Sequence, residues 1–150
     1  MFKSKTKNFF KKVAVGAGVV GVLVSTNVMA AKASGMVSTP FTKAKVDSNE
    51  YTTVAKVTKK VNYEYAYVTI DNIYKADGSD SKYKRIKGRI NYYQGGKWHK
   101  SGAEKTITKG DETIFEISEA GRNAGTILRF RAMGNDPSLD CKVSGHFDTY

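Results

Sequence analysis

The chain has 150 residues, one cysteine, two histidines, and 25 basic against 14 acidic side chains, a formal net charge of +11. A single cysteine excludes an intramolecular disulfide, so the fold has to be held by an apolar core, which a chain of this length can supply. The length suits one domain of ordinary size and leaves no room for a second.

Residues 1–30 carry the three parts of a secretory signal in order. Lys3, Lys5, Lys7, Lys11 and Lys12 form the basic stretch, Val13 to Val24 the apolar stretch, and Val28-Met29-Ala30 a small-residue cleavage site. The apolar stretch falls short of the ~20 residues a spanning helix needs, so it reads as removed, and the mature chain is expected to have no transmembrane segment. Cleavage near Ala30 makes the protein secreted; the 150 residues less the 30 of the signal leave 120. Five lysines go with the signal, leaving 20 basic against 14 acidic side chains, so the working protein is moderately cationic. That charge suits an anionic surface polymer, a membrane headgroup or a glycan, and export takes the chain away from intracellular nucleic acid. Nothing in the sequence sets an oligomeric state.

Residues 31–38 are small and polar, a short leader before a β domain over 39–150. From Thr39 onward apolar and polar residues alternate, with many β-branched and aromatic side chains between short polar turns, and no helical period emerges. Phe41, Ala44 and Val46 mark a first strand and Tyr51 to Val57 a second. Glu64 to Tyr74 forms a third, with Ala66, Val68 and Ile70 on the core side and Tyr63, Tyr65, Tyr67 and Thr69 on the other. In the fourth, Lys82 to Tyr93, Ile86, Gly88, Ile90 and Tyr92 alternate with Arg85, Lys87, Arg89 and Asn91. The turn Gln94-Gly95-Gly96-Lys97 leads to two short pieces, Trp98 to Lys100 and Lys105 to Lys109. Thr113, Phe115 and Ile117 define a seventh segment. Thr126 to Met133 and Cys141 to Phe147 close the set, with Leu128, Phe130, Ala132, Cys141, Val143 and Phe147 inward and Arg129, Arg131, Lys142 and His146 outward. Seven to nine such strands imply an all-β fold, an antiparallel sandwich of immunoglobulin-like or jelly-roll-like type, with a closed barrel as the alternative.

Catalytic constellations are missing from the pattern. His99 and His146 have no metal-ligand spacing, and alternation turns Cys141 and His146 to opposite faces of one strand. No nucleophile elbow, paired-carboxylate motif or cofactor fingerprint occurs, so neither an enzyme nor a cofactor is expected. Asp111, Asp136 and Asp140 could meet at one end to bind calcium, although aspartates in turns have an ordinary structural use.

The fourth strand offers a positive feature. Arg85, Lys87 and Arg89 recur at every second residue, about 6 to 7 Å apart, and Tyr83 and Tyr93 bracket them. Lys97, Trp98 and Lys100 follow just beyond the turn. Two roles fit this row: a ligand patch for repeated negative charge, or a solvated edge kept soluble by its cations. The tyrosines of the third strand likewise suit either stacking on sugar rings or ordinary cross-strand packing. A lysine-rich signal followed by a compact β domain resembles the small exported β-sandwich proteins of Gram-positive bacteria, which include bacteriocins and wall-associated binding modules. The function expected is binding, without catalysis, to an anionic or glycan component of a cell surface; a bacteriocin or toxin-like antimicrobial role is the alternative.

Overall fold

The computed structural model describes residues 36–150 except Leu139; the expected signal peptide and residues 31–35 of the expected leader lie outside the described residues. The strands are β1 (Val37–Val46), β2 (Thr52–Thr58), β3 (Tyr65–Lys75), β4 (Arg85–Gln94), β5 (Lys97–Thr108), β6 (Glu112–Glu116), β7 (Ile127–Gly134) and β8 (Cys141–Thr149), with one short 3-10 turn at Glu119–Gly121. They form two antiparallel four-stranded sheets, ordered β1-β8-β3-β6 and β2-β7-β4-β5. The all-β, two-sheet expectation therefore holds. The closed barrel does not, because each ladder stops at two edge strands, β1 and β6 in one sheet and β2 and β5 in the other.

The pairings are nested. β4 pairs β5, β3 pairs β6, β2 pairs β7 and β1 pairs β8, while the further pairs β3 with β8 and β4 with β7 join these ribbons into sheets. The innermost hairpin turns at Gly95 and Gly96, with φ of 58° and 80°. A two-residue turn with both φ values positive matches the right-handed twist of the flanking strands, and glycine adopts it without a Cβ penalty. The two short pieces expected after this turn are one strand. β5 runs through both, and a register shift between Gly88 and Ile90 with Gly102 at φ 68° bends it midway, which interrupts the alternation.

Inner faces of the two sheets supply the core. Ala66, Val68 and Ile70 of β3, Ile86 and Ile90 of β4, Leu128, Phe130 and Ala132 of β7, and Val143 and Phe147 of β8 are all fully buried. Each large apolar side chain so placed contributes roughly 1.5–3 kcal/mol. Phe130 stands at the centre, its ring 6.1 Å from Phe41, 6.1 Å from Phe147 and 6.4 Å from Phe115, all three from the opposite sheet. Gly88 makes room for it: a Cβ there would come within 2.9 Å of the Phe130 ring. At Gly145 a Cβ would run into the Thr69 carbonyl, so the close approach of β8 to β3 also requires glycine.

Two buried titratable groups make the core testable. Cys141 is 2% exposed, and burial, with the Asp140 charge beside it, pushes its thiol up to about 11. A thiolate is the reactive species, so Cys141 should resist a thiol reagent at pH 8 in the native protein and react at once in denaturant. Rapid labelling of the native protein would refute this packing.

Lys59, just past β2, is only 1% exposed, and its ammonium donates to the carbonyls of Tyr63 and Arg122. No carboxylate among the described residues is ion-paired with it, and burial followed by repulsion from Arg122 lowers its pKa to about 8 from 10.5. The unfolded chain then binds the extra proton between those values, so this residue's penalty on the fold is full below pH 8 and fades as pH rises toward 10.5. In urea melts at pH 7.5 and 9.5, the wild type should gain stability relative to Lys59→Met as pH increases. Equal pH slopes would refute the buried charge.

Candidate functional site

Alternation fixes the outer face of the second sheet. Because Ile86, Gly88 and Ile90 point into the core, Arg85, Lys87, Arg89, Asn91 and Tyr93 of β4 point away from it. The same rule on β7 places Arg129, Arg131 and Met133 outward around buried Leu128, Phe130 and Ala132. Pairing then joins the two rows: Arg89 lies directly opposite Arg131, Asn91 opposite Arg129, and Lys87 opposite Met133. On the other side of β7, Lys56 of β2 lies opposite Arg129. From β5, Lys100 faces Asn91 and Trp98 faces Tyr93.

The centre of this face is thus three half-buried arginines, Arg89, Arg129 and Arg131. Two aromatic rings seat their guanidinium planes. Arg89 lies 3.9 Å from the ring centroid of Tyr51, the residue before β2, and Arg129 lies 4.2 Å from that of Trp98. Arg131 donates to the Tyr51 carbonyl, and Lys56 adds a second cation 5.8 Å from the Trp98 ring. Tyr93, 41% exposed, leans on Trp98 at 5.1 Å. Stacking of this kind satisfies the planes of the guanidinium groups but leaves their hydrogen-bonding edges unused.

Electrostatics here are unfavourable to the protein alone. Among the described residues, none of the three arginines has a carboxylate within ion-pair distance; the ion pairs present use Arg122 and His146. The Nε atoms of all three arginines and Oδ1 of Asn91 are buried without a hydrogen-bond partner. Burial, then repulsion from the neighbouring arginines, lowers the pKa of Arg129 and of Arg131. A guanidinium nevertheless stays charged at any ordinary pH. Burial and the nearby Glu104 carboxylate push the Tyr51 hydroxyl up, so it remains a neutral phenol.

The residues singled out in the sequence divide between two places. Arg89, Tyr93, Trp98 and Lys100 fall in or beside the arginine cluster, with Lys87 next along β4 and Lys97 at the exposed hairpin end. Arg85 and Tyr83 do not join them. Both line a hollow of about 530 Å³ at the other end of β4, with Lys82, Lys84, Asn135 and Asp136, and Tyr83 packs against the core instead of bracketing the row. Arg129 and Arg131 were readable as outward-facing, but their place beside β4 depends on a pairing between strands far apart in sequence. Tyr51 carried no local signal for its position over the sheet.

The first sheet presents different chemistry outward. Tyr63 packs on Tyr150 at 4.7 Å and on Tyr65 at 5.8 Å, and its hydroxyl lies 3.1 Å from that of Tyr67. The rings pack on one another, and a cleft of about 320 Å³ lies beside Tyr63, lined also by Asn62, Glu64 and Arg122. His146 Nε2 sits 3.3 Å from Asp148. Ser144, next along that face, accepts the Lys43 amide and makes no hydrogen bond to His146, so these three do not assemble into a relay. Among the described residues no three metal-binding side chains gather, so Asp111, Asp136 and Asp140 do not meet; Asp136 accepts from Ser138, and Asp140 from the Ser48 amide.

Like charges opposite one another across strands destabilise a sheet by up to about 1 kcal/mol, and salt screens the repulsion. Stability of the wild type should therefore rise more between about 10 mM and about 0.5 M sodium chloride than that of Arg129→Gln, by about 0.5 kcal/mol in denaturant melts. Parallel salt responses would mean that the guanidinium groups do not repel as their spacing requires.

No family model matches the chain, and no curated protein matches it.

Proposed function

We propose that this is a non-enzymatic binding protein, exported by a signal peptide cleaved near Ala30 and secreted, that takes an anionic or glycan component of a cell surface on the outer face of its second sheet. The nested strand order supports assigning the sandwich to the jelly-roll class, an architecture that lectin domains also use. The observation that carries the functional reading is the trio Arg89, Arg129 and Arg131, crowded and part-desolvated with no carboxylate within ion-pair distance among the described residues, Glu50 being near Arg131 but not paired to it. Their mutual repulsion and lost hydration are costs the fold bears in the absence of an anion, and a bound anion offsets both. Rings beneath the guanidinium planes hold the unused edges in place, which reduces the ordering cost of binding. The face supplies cations and aromatic rings but no nucleophile beside a base, which favours binding over catalysis.

The test is retention of the purified protein on whole bacterial cells, isolated walls and anionic liposomes at low and physiological salt, with cell viability followed alongside. Wild type should be retained on one of these surfaces in a salt-sensitive manner. Arg89→Gln combined with Arg129→Gln should weaken retention by about tenfold or more, since each charged hydrogen bond lost is worth about 1.5–3 kcal/mol. Undiminished retention of the variant, or none of the wild type on any surface, would overturn the proposal. Death of the target cells on binding would favour the toxin-like role.

A further inference from the structure

We infer that the ligand is an acidic saccharide, held at two adjoining subsites: its anionic group on the arginine edges and a pyranose ring on exposed Tyr93, which half-buried Trp98 backs. This inference rests on the proposed binding role and adds the ligand's class. Two short steps connect the subsites, 4.2 Å from the Arg129 guanidinium to the Trp98 ring and 5.1 Å from there to Tyr93. A sugar acid has the same layout, an apolar C–H face with a charged substituent a few ångströms from the ring centre.

A bare polyanion would need the cations alone. It would give no reason for Tyr93 to stand exposed at the hairpin end with only one side against Trp98. A ring that is amphipathic and faces solvent beside cations is suited to stacking on a sugar. Two clefts elsewhere also pair cations with a tyrosine, but each has a carboxylate in its wall: Asp136 beside Lys82, Tyr83, Lys84 and Arg85, and Glu64 beside Tyr63 and Arg122. The cleft beside Cys141, about 440 Å³, is lined by Lys45, Asp47, Thr52 and Lys142 with no aromatic ring.

The chain has one tryptophan, and it lies in the proposed site, so its fluorescence reports binding there directly. Purified protein should be titrated with polygalacturonate, inorganic polyphosphate, neutral dextran and phosphatidylglycerol vesicles, for wild type, Tyr93→Ala and Arg129→Gln. The expected result is a change in Trp98 emission with polygalacturonate. Tyr93→Ala should weaken polygalacturonate binding by about three- to tenfold, the worth of one aromatic contact, and leave polyphosphate binding unchanged. Arg129→Gln should weaken binding of both polyanions. Tyr93 is exposed and Arg129 faces outward, so neither change threatens the core, and a matching far-ultraviolet spectrum verifies folding.

Binding of polyphosphate or vesicles with equal strength and no effect of Tyr93→Ala would overturn the saccharide inference while leaving the anion-binding role standing. Equal binding of dextran would overturn the requirement for an acid group. No response to any anionic probe would remove the inference and the binding role together.

Discussion

Everything on the arginine face depends on where Phe130 points. Its ring enters the centre of the core among Phe41, Phe115 and Phe147, and so locks one sheet against the other. In an extended strand the neighbours of an inward residue must point outward. Seating Phe130 therefore aims Arg129 and Arg131 at the opposite surface, and the β4 pairing brings Arg89 beside them. A one-residue slip of β7 would bury two guanidinium groups and expose the phenyl ring, an exchange the chain cannot sustain. The core thus holds the register that the site needs.

The two outer faces of the sandwich meet solvent in different ways. On the first sheet the tyrosines contact one another, and the His146 ring is flanked by Asp148 and Asp71, so the polar groups there largely answer each other. On the second sheet Arg89 and Arg129 lie over rings, and none of the three central arginines is ion-paired among the described residues, although Glu50 lies near Arg131 and Glu104 near Tyr51. Simple solubility does not require this arrangement, because exposed lysines such as Lys97 and Lys100 remain hydrated and need no seating. Half-burial of arginines against Tyr51 and Trp98 fixes their geometry at the expense of hydration.

Much of this was readable one strand at a time. The inward sets of β3, β4, β7 and β8 followed directly from two-residue alternation, because a strand's own sequence decides which side is apolar. What a strand lies beside is decided elsewhere in the chain. Arg129 and Arg131 could be read as outward, yet nothing local tied them to Arg89. Trp98 was visible as a nearby aromatic, but its stacking on Arg129 requires β5, β4 and β7 to lie side by side. Tyr83 shows the converse: its nearness to Arg85 in sequence suggested that it brackets the whole basic row, while the ring packs against the core at the far end of β4 and meets Arg85 only in the hollow there. Lys59 gave no sign of burial, since its polar partners are backbone carbonyls, which every residue has.

Nested pairing also orders the folding of the molecule in time. The β4–β5 hairpin joins neighbours across two residues, whereas the outermost ribbon joins Val37 to Thr149. Long-range pairings are slow because the entropy of closing the loop is lost before any contact rewards it. The middle of the chain can therefore make a hairpin early, but the edge sheet cannot be completed until the final strand is free to lie between β1 and β3. A polypeptide built this way keeps its first sheet open for as long as its last residues are held, however early the inner hairpin forms.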